Sequence, residues 1–495
     1  LRRLLSECSL KMVKPMPPET ALRSAENNAA EGTRAVDDAV ARARAAQVRF
    51  EQNATQDRYD RAALAAGWAI MEPDRNREMA ELAVETTGLG NVSDKIAKNH
   101  RKTLGLLRDI GNATTCGVVR EIPELGLSEI ARPVGVVGAV TPSTNPVATP
   151  ANNIINALKC GNAIILAPSP AGVPACERLL AYIHAEFAKI GENPDLVQMM
   201  PVPPSKDKTQ RLMETVDLVV VTGSQDNVRR AYRCGTPAIG VGTGNASVIV
   251  DETADAGAAA KKIAASKTFD YATSCSSENA VIVVEAVRDA FLEAAHAEGG
   301  RLLDAGQTAR IRETLWQGGK LSREMIAKDA ATVIGMAGLD VPEPESARFF
   351  LAPAQAIGPE EPLSSEKLSL VAAFYTARDF ADAKEKAHRL LLHQGAGHSV
   401  GLHSARDDRA VELGHDLPAC RIIVNQPHCF ATGGSFENGL PFSLSMGCGT
   451  WGGNSIDDNL HYRHFMNTVK IARPIAPREP SVQEIFASYW REAGK

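Results

Sequence analysis

Cys275 lies near the centre of Ser266–Val284 (SKTFDYATSCSSENAVIVV), among a Phe, a Tyr and a cluster of small hydroxyl residues. The residues before it, Ala256–Thr268, have helical spacing, and Ala280–Val284 after it is a β-branched run that reads as a buried strand. A thiol at a tight turn between helix and strand can face a cavity and act as a nucleophile. Cysteine is also among the most buried residue types, and the chain has nine, so position alone does not decide. Asn145, between Thr144 and Pro146, follows a strand that ends at Thr141. Its amide can donate to a developing oxyanion, or merely stabilise a turn before proline. Thr222-Gly223-Ser224 closes a strand and opens a helix, where backbone N–H groups and the helix dipole can meet a phosphate; an ordinary turn with a Ser cap reads the same way. Gly240-Val-Gly-Thr-Gly244 can hug a cofactor or form tight turns. Neither stretch is a full G-x-G-x-x-G fingerprint. His393, His398 and His403 recur every five residues with glycines between them, which is not a metal-binding spacing. G-x-S-x-G is absent, so a serine hydrolase elbow is not supported.

The elements that must position these residues follow from periodicity. Ala21–Asn53, Tyr59–Met71, Asp74–Thr87 and Ser93–Ile110 read as helices. From Ala131 the pattern becomes β-turn-α: strands are expected at Ala131–Thr141, Ala163–Ala167, Leu196–Pro201 and Leu218–Val221, with helices between. Such alternation predicts an open, mostly parallel sheet that binds ligands at the carboxyl ends of its strands. A second α/β region starts near Asp251, with strands at Ser369–Tyr375, Ser399–Leu402 and Arg421–Asn425 and a helix at Phe380–Leu392. Gln426–Asn454 abandons periodicity and is rich in Gly and Ser; a long irregular stretch of this kind is more often functional than idle.

With 495 residues, two or three domains are expected. A net charge of -5 gives no basic stripe for nucleic acid or an anionic membrane, and the longest apolar run, Val134–Val140, is too short to span a bilayer. An odd number of cysteines without a Cys-x-x-Cys pair argues against a disulfide framework and a structural zinc site, so a reduced, cytoplasmic setting is expected. Leu1–Lys14 reads as an upstream extension, expected to be disordered.

Taken in order, six segments resemble the CoA-acylating branch of the aldehyde dehydrogenase superfamily: PVGVVGAVTPSTNP, VVVTGSQDNV, PAIGVGTGNASVIVDETAD, KTFDYATSCSSEN, SSEKLSLV and SLSMGCGTWGGNS. The resemblance runs from about Ala21 to the C-terminus. It implies an α/β fold of two Rossmann-like open-sheet domains with a small oligomerisation arm. Cys275 then falls at the catalytic nucleophile and Asn145 at the oxyanion position. Thr141, Pro142, Ser143, Thr222, Gly223, Ser224, Gly242 and Gly244 fall in cofactor-binding segments, and Glu366 at the carboxylate that holds the nicotinamide ribose. The family's later Gly in the cofactor turn is here Val228. Hydrolytic members carry a glutamate that activates water; by register that position is Val241, which cannot take a proton. A cysteinyl thioester would then persist until a thiol arrives, which favours acyl transfer to coenzyme A.

The resemblance further implies a nicotinamide cofactor. Ala167-Pro-Ser-Pro170 lacks the charged residues that hold the adenosine ribose in many relatives, so NADP is favoured over NAD, with Ser169, Arg229 or Arg230 near a 2′-phosphate. Within the branch, the Asn425–Ser455 stretch is most similar to members acting on sulfoacetaldehyde, ahead of acetaldehyde. His428, Thr432, Gly433 and Ser435 are its candidate substrate-binding residues. The expected organisation is an extension at 1–16, a cofactor-binding domain at 17–250 with 117–130 in the arm, a catalytic domain at 251–424, and pocket loops with an oligomerisation tail at 425–495. A homodimer or homotetramer follows by analogy. A hydrolytic aldehyde dehydrogenase, a non-catalytic cofactor-binding protein and a cysteine redox sensor are the competing readings.

Overall fold

Helical periodicity carries the chain first through Pro18–Gln52, Gln56–Met71, Pro73–Thr87 and Val92–Ile110. The breaks between them have local causes. Thr55 and Asn91 accept hydrogen bonds from the N–H groups of Arg58 and Asp94, and Pro73 occupies a first helical turn that needs no N–H donor. The computed structural model describes residues 18–494, with side chains from residue 31 onward; the expected extension at 1–16 lies outside them.

Ala131–Thr141 does not form the single strand that its composition suggests. Leu127–Pro133 pairs antiparallel with Met466–Ala472, whereas Val136–Thr141 enters a parallel sheet. The chain turns between them at Gly135, whose φ of +122° suits a residue without a Cβ. Asp217 fixes the turn by accepting the Val136 N–H at 2.8 Å.

The first sheet has five parallel strands in the order 197–199, 163–168, 136–141, 218–222, 238–241. The chain starts in the middle, builds outward on one side, then crosses back to build the other. The direction reverses between Val136–Thr141 and Leu218–Thr222, so a crevice opens at their carboxyl ends, where Thr141 and Thr222 stand. Both central strands, Val136–Thr141 and Ala163–Pro168, are buried along their whole length, as their continuous apolar runs require.

The second sheet has seven parallel strands in the order 300–302, 349–353, 371–377, 280–284, 247–250, 400–403, 422–424. The two sheets part within residues 242–246. Each has its own apolar core, and Phe442, Leu460 and Phe465 from the irregular C-terminal stretch pack into the first. That stretch therefore closes over the crevice from the far end of the chain. Gly117–Ile122, Leu127–Pro133 and Met466–Ala472 form a separate antiparallel sheet, and the last of these strands is mostly exposed.

Candidate active site

Ala280–Val284 is fully buried in the second sheet, and the turn before it brings Cys275 to a cavity of about 310 Å³. Pro142, Thr222 and Ser224 line this cavity from the first sheet, and Cys275 and Glu366 from the second. Gly244 passes directly against the turn. A Cβ there would stand 1.9 Å from the Cys275 carbonyl oxygen, so the inter-sheet segment can close on the thiol only with glycine.

Cys275 Sγ lies 3.5 Å from His398 Nε2. His398 Nδ1 lies 2.7 Å from Ser399 Oγ. If Nδ1–H donates to that hydroxyl, Nε2 is left as the acceptor facing the thiol. Burial, with Glu366 and Cys448 adding, pushes the thiol up to about 12. Burial also pulls His398 down to about 3, helped by Arg421 and His428. The resting pair is therefore a neutral thiol beside a neutral imidazole, and the proton moves as the sulfur reacts. Buried Arg421 fixes this histidine. It donates to the His398 carbonyl at 3.1 Å, to the Gly447 carbonyl at 2.9 Å and to Asn459 Oδ1 at 2.9 Å. The GCGTWGGN stretch is thus clamped against this histidine.

Asn145 borders the same cavity. Lys98 Nζ donates to its Oδ1 at 2.8 Å. A lysine only donates, so this contact fixes the amide orientation and leaves Nδ2 as the group free to donate. Lys98 is held in turn by Asp270 Oδ2 at 2.5 Å and Thr273 Oγ1 at 2.9 Å. Asp270 is fully buried and also accepts from Lys95 at 3.1 Å. Burial alone would raise its carboxyl, but Lys98 and Lys95 hold it below the usual range. It belongs to a turn in which Asp270, Tyr271 and Ala272 all have positive φ, at 49°, 51° and 60°. Three successive left-handed non-glycine residues are strained, and the lysine contacts keep the turn in place just ahead of Cys275.

At the crevice of the first sheet, Pro142, Thr222, Gly223, Ser224, Gly242 and Glu366 share the cavity with Cys275. Thr141 and Ser143 stand just outside it, on the strand end and turn that lead to Asn145. Ser224 caps the helix Gln225–Arg233 by accepting the Asn227 N–H, and the helix N-terminus opens beside the cavity. Thr141 Oγ1 and Ser169 Oγ are buried without a partner among the described residues. Glu366 accepts the Gly244 N–H at 3.1 Å, and burial pushes its carboxyl up to about 7. A helix N-terminus at the switch point, unpaired hydroxyls on the strand ends and a carboxylate across the gap fit a nicotinamide dinucleotide. Of the arginines considered for a 2′-phosphate, Arg230 is engaged with Gln210 at 3.1 Å and the Lys206 carbonyl at 2.6 Å; Arg229 is exposed.

Comparison with known proteins agrees with this geometry. Residues 6–313 match the model of the aldehyde dehydrogenase family. The chain is 53% identical over 481 residues to a sulfoacetaldehyde dehydrogenase (acylating) from Cupriavidus necator, covering 97% of each chain. It is 39% identical to a protein of the same description from Bilophila wadsworthia, over 89% of this chain and 96% of the other. Among solved structures, an acetylating aldehyde dehydrogenase from Geobacillus thermoglucosidasius superimposes with a TM-score of 0.87 at 31% identity, covering 92% of this chain and 99% of that one. The chain belongs to the aldehyde dehydrogenase family.

In this aldehyde dehydrogenase Val241 is buried and borders the cavity. Among the described residues lining it, the one carboxylate is Glu366, already engaged by the Gly244 N–H. The candidate substrate residues are less well gathered. Gly433 borders the cavity, whereas His428, Thr432 and Ser435 are buried away from its lining. Thr432 Oγ1 donates to the His428 carbonyl at 2.8 Å, and Ser435 Oγ accepts the Glu437 N–H at 3.2 Å, so both hydroxyls shape the loop. The three histidines spaced five apart go to three places: His393 to Ser365 at 2.9 Å, His398 to Cys275, and His403 to the end of the strand Val400–His403. Sequence reasoning missed His398 as the partner of the thiol. It also missed Lys98, Arg101 and Lys102, which all line the cavity from the helix Val92–Ile110. The available signal was their spacing, which puts them on one helical face with Leu106 and Ile110.

Proposed function

We propose that this aldehyde dehydrogenase is CoA-acylating, and that it converts sulfoacetaldehyde, coenzyme A and NAD(P)+ to sulfoacetyl-CoA and NAD(P)H. The observation that carries the acylating reading is the composition of the cavity. A thiol and an oriented amide meet there, with a neutral imidazole 3.5 Å behind the thiol, and Val241 stands where hydrolytic relatives carry a water-activating carboxylate. The sulfonated substrate is supported by the relatives from Cupriavidus necator and Bilophila wadsworthia, both sulfoacetaldehyde dehydrogenases (acylating).

Cys275 Sγ adds to the aldehyde carbon as its proton passes to His398 Nε2. The carbonyl oxygen becomes an oxyanion held by Asn145 Nδ2, whose direction Lys98 sets. A bound nicotinamide supplies the hydride acceptor that turns this adduct into a thioester. Glu366 and the helix N-terminus behind Ser224 would hold the cofactor across the gap. The His398 proton is released to solvent, restoring the base. His398 then takes the proton of the coenzyme A thiol as that sulfur attacks the thioester carbon. Collapse breaks the carbon–Cys275 bond, and the leaving sulfur recovers the proton from His398. One proton is released overall.

For the cofactor, NADP is favoured over NAD, because no carboxylate stands in 167–170 to repel a 2′-phosphate. The test of the function is a CoA-dependent assay of NAD(P)H formation with sulfoacetaldehyde and acetaldehyde side by side. A higher kcat/KM for sulfoacetaldehyde is expected, with no turnover when coenzyme A is omitted. An equal or better rate with acetaldehyde would overturn the sulfonated substrate, and turnover without coenzyme A would overturn the acylating reading.

A further inference from the structure

The helix Val92–Ile110 turns four cations, Lys95, Lys98, Arg101 and Lys102, toward the protein interior. Asp270 is the carboxylate that meets them, and it pairs with Lys95 and Lys98 alone. Lys98 is further committed to Asn145 and Thr273. Among the described residues no carboxylate comes within ion-pair distance of Arg101 or Lys102, and Glu437 acts on Arg101 only from farther off. Arg101 Nη2 donates to the carbonyls of Phe430 at 2.9 Å and Gly434 at 3.4 Å. Lys102 Nζ donates to the carbonyls of Gly433 at 2.6 Å and Ser443 at 3.0 Å. A guanidinium has five N–H donors and an ammonium three, so several are left over on two side chains that border the Cys275 cavity.

Burying a cation against neutral carbonyls alone is unfavourable. Lys102 is 8% exposed, and burial without a counter-ion pulls it down to about 7. The carbonyls hold the two side chains in place without neutralising them. Aromatic rings add to the constraint: the Arg101 guanidinium lies 5.2 Å from the Phe430 ring centre and 5.4 Å from that of Phe442. The result is a rigid, electropositive end to an otherwise largely apolar cavity that also contains the nucleophile.

We propose that Arg101 and Lys102 form an anion subsite that binds the sulfonate of the aldehyde and so sets substrate choice. This assignment rests on the sulfoacetaldehyde reading above and names the side chains that would carry it. A sulfonate oxygen accepts from the free Arg101 donors and another from the third Lys102 donor, and the aldehyde carbon, one methylene away, faces Cys275. The backbone carbonyls of Phe430, Gly433 and Ser443 act here as supports for the cations, and the loop contributes through them.

The test compares wild type, Arg101→Met, Lys102→Met and Arg101→Lys with sulfoacetaldehyde and acetaldehyde at saturating coenzyme A and cofactor. The ratio of kcat/KM for the two aldehydes should fall by roughly thirtyfold in each Met variant, mainly through KM, and recover in part with Arg101→Lys. An unchanged ratio, equal loss with both aldehydes, or a rise in KM confined to coenzyme A would overturn the assignment. A second measurement needs no variant. Isethionate (2-hydroxyethanesulfonate) should inhibit wild-type acetaldehyde oxidation at least about tenfold more strongly than the uncharged 2-(methylsulfonyl)ethanol. Equal inhibition by the two would overturn the subsite. Should wild type prefer acetaldehyde while isethionate still inhibits in an Arg101-dependent way, the substrate reading falls and the anion subsite stands. Preference for sulfoacetaldehyde that survives both Met substitutions has the opposite meaning.

Discussion

Burial leaves both Cys275 and His398 uncharged at rest, so the proton passes between them only as the sulfur reacts. With the thiol pushed up to about 12 and the imidazole pulled down to about 3, neither changes charge between pH 5 and 9. Cys275→Ala should abolish turnover while leaving nucleotide binding measurable by fluorescence titration; residual activity above a trace would remove it as nucleophile. His398→Gln should lower kcat by roughly 10²–10⁴, the usual yield of a positioned base. A rapid-quench measurement of thioester formation would show the loss in the first half-reaction as well as in transfer to coenzyme A. Lys102 behaves differently. Burial pulls its ammonium from 10.5 to about 7, with Arg101 and Lys98 adding. The charged form binds the anion, so kcat/KM for sulfoacetaldehyde should fall as pH rises through about 7 in the free enzyme. Arg101 stays charged, so the fall should level off. Glu366 titrates near the same pH, but it acts on both aldehydes alike. The ratio of sulfoacetaldehyde to acetaldehyde therefore isolates Lys102, and a ratio flat across pH 6 to 9 would refute its part.

At the scale of elements, the site depends on one helix gripping one strained turn. Asp270 receives Lys95, Lys98, the Asn91 N–H and Thr273, and its own N–H reaches Asp94. Asp270→Asn leaves two buried lysines without a counter-charge and should cost about 3–5 kcal/mol in urea unfolding. It should also slow turnover, because Lys98 would no longer hold Asn145. A variant as stable as wild type would show that the turn is held by packing alone. The sequence exposes part of this arrangement and hides the rest. Strand runs such as Ala163–Ala167 and the turn around Cys275 are legible because continuous apolar residues and clustered small residues have few alternatives. The cation face is hidden because lysine and arginine on a helix are usually solvated, and only the fold shows Lys95, Lys98 and Lys102 turned inward. His398 is hidden because its partner lies 123 positions away in the chain. In Gln426–Asn454, residue types alone did not tell which side of the loop faces the cavity, so His428, Thr432 and Ser435 stood out while the carbonyls that hold Lys102 did not.

At the scale of the whole molecule, the arm and tail carry exposed apolar side chains. Gly117–Ile122, Leu127–Pro133 and Met466–Ala472 form a sheet with Val118, Val469 and Ile471 exposed. The helix Val482–Glu492 follows it, with no buried side chain, and Ile485, Phe486 and Tyr489 are exposed. Apolar surface of this kind on the arm and tail is what a contact between subunits would bury. We propose a homodimer or homotetramer built through 117–130 and the tail. Light scattering on the wild type should give such an oligomer, and Ile485→Glu with Phe486→Glu should shift it to a smaller species, because two carboxylates would be buried unpaired at the contact. The double substitution lies far along the chain from Cys275 and should leave far-UV circular dichroism unchanged. A monomeric wild type, or an oligomer indifferent to both charges, would mean that the tail serves something other than self-association.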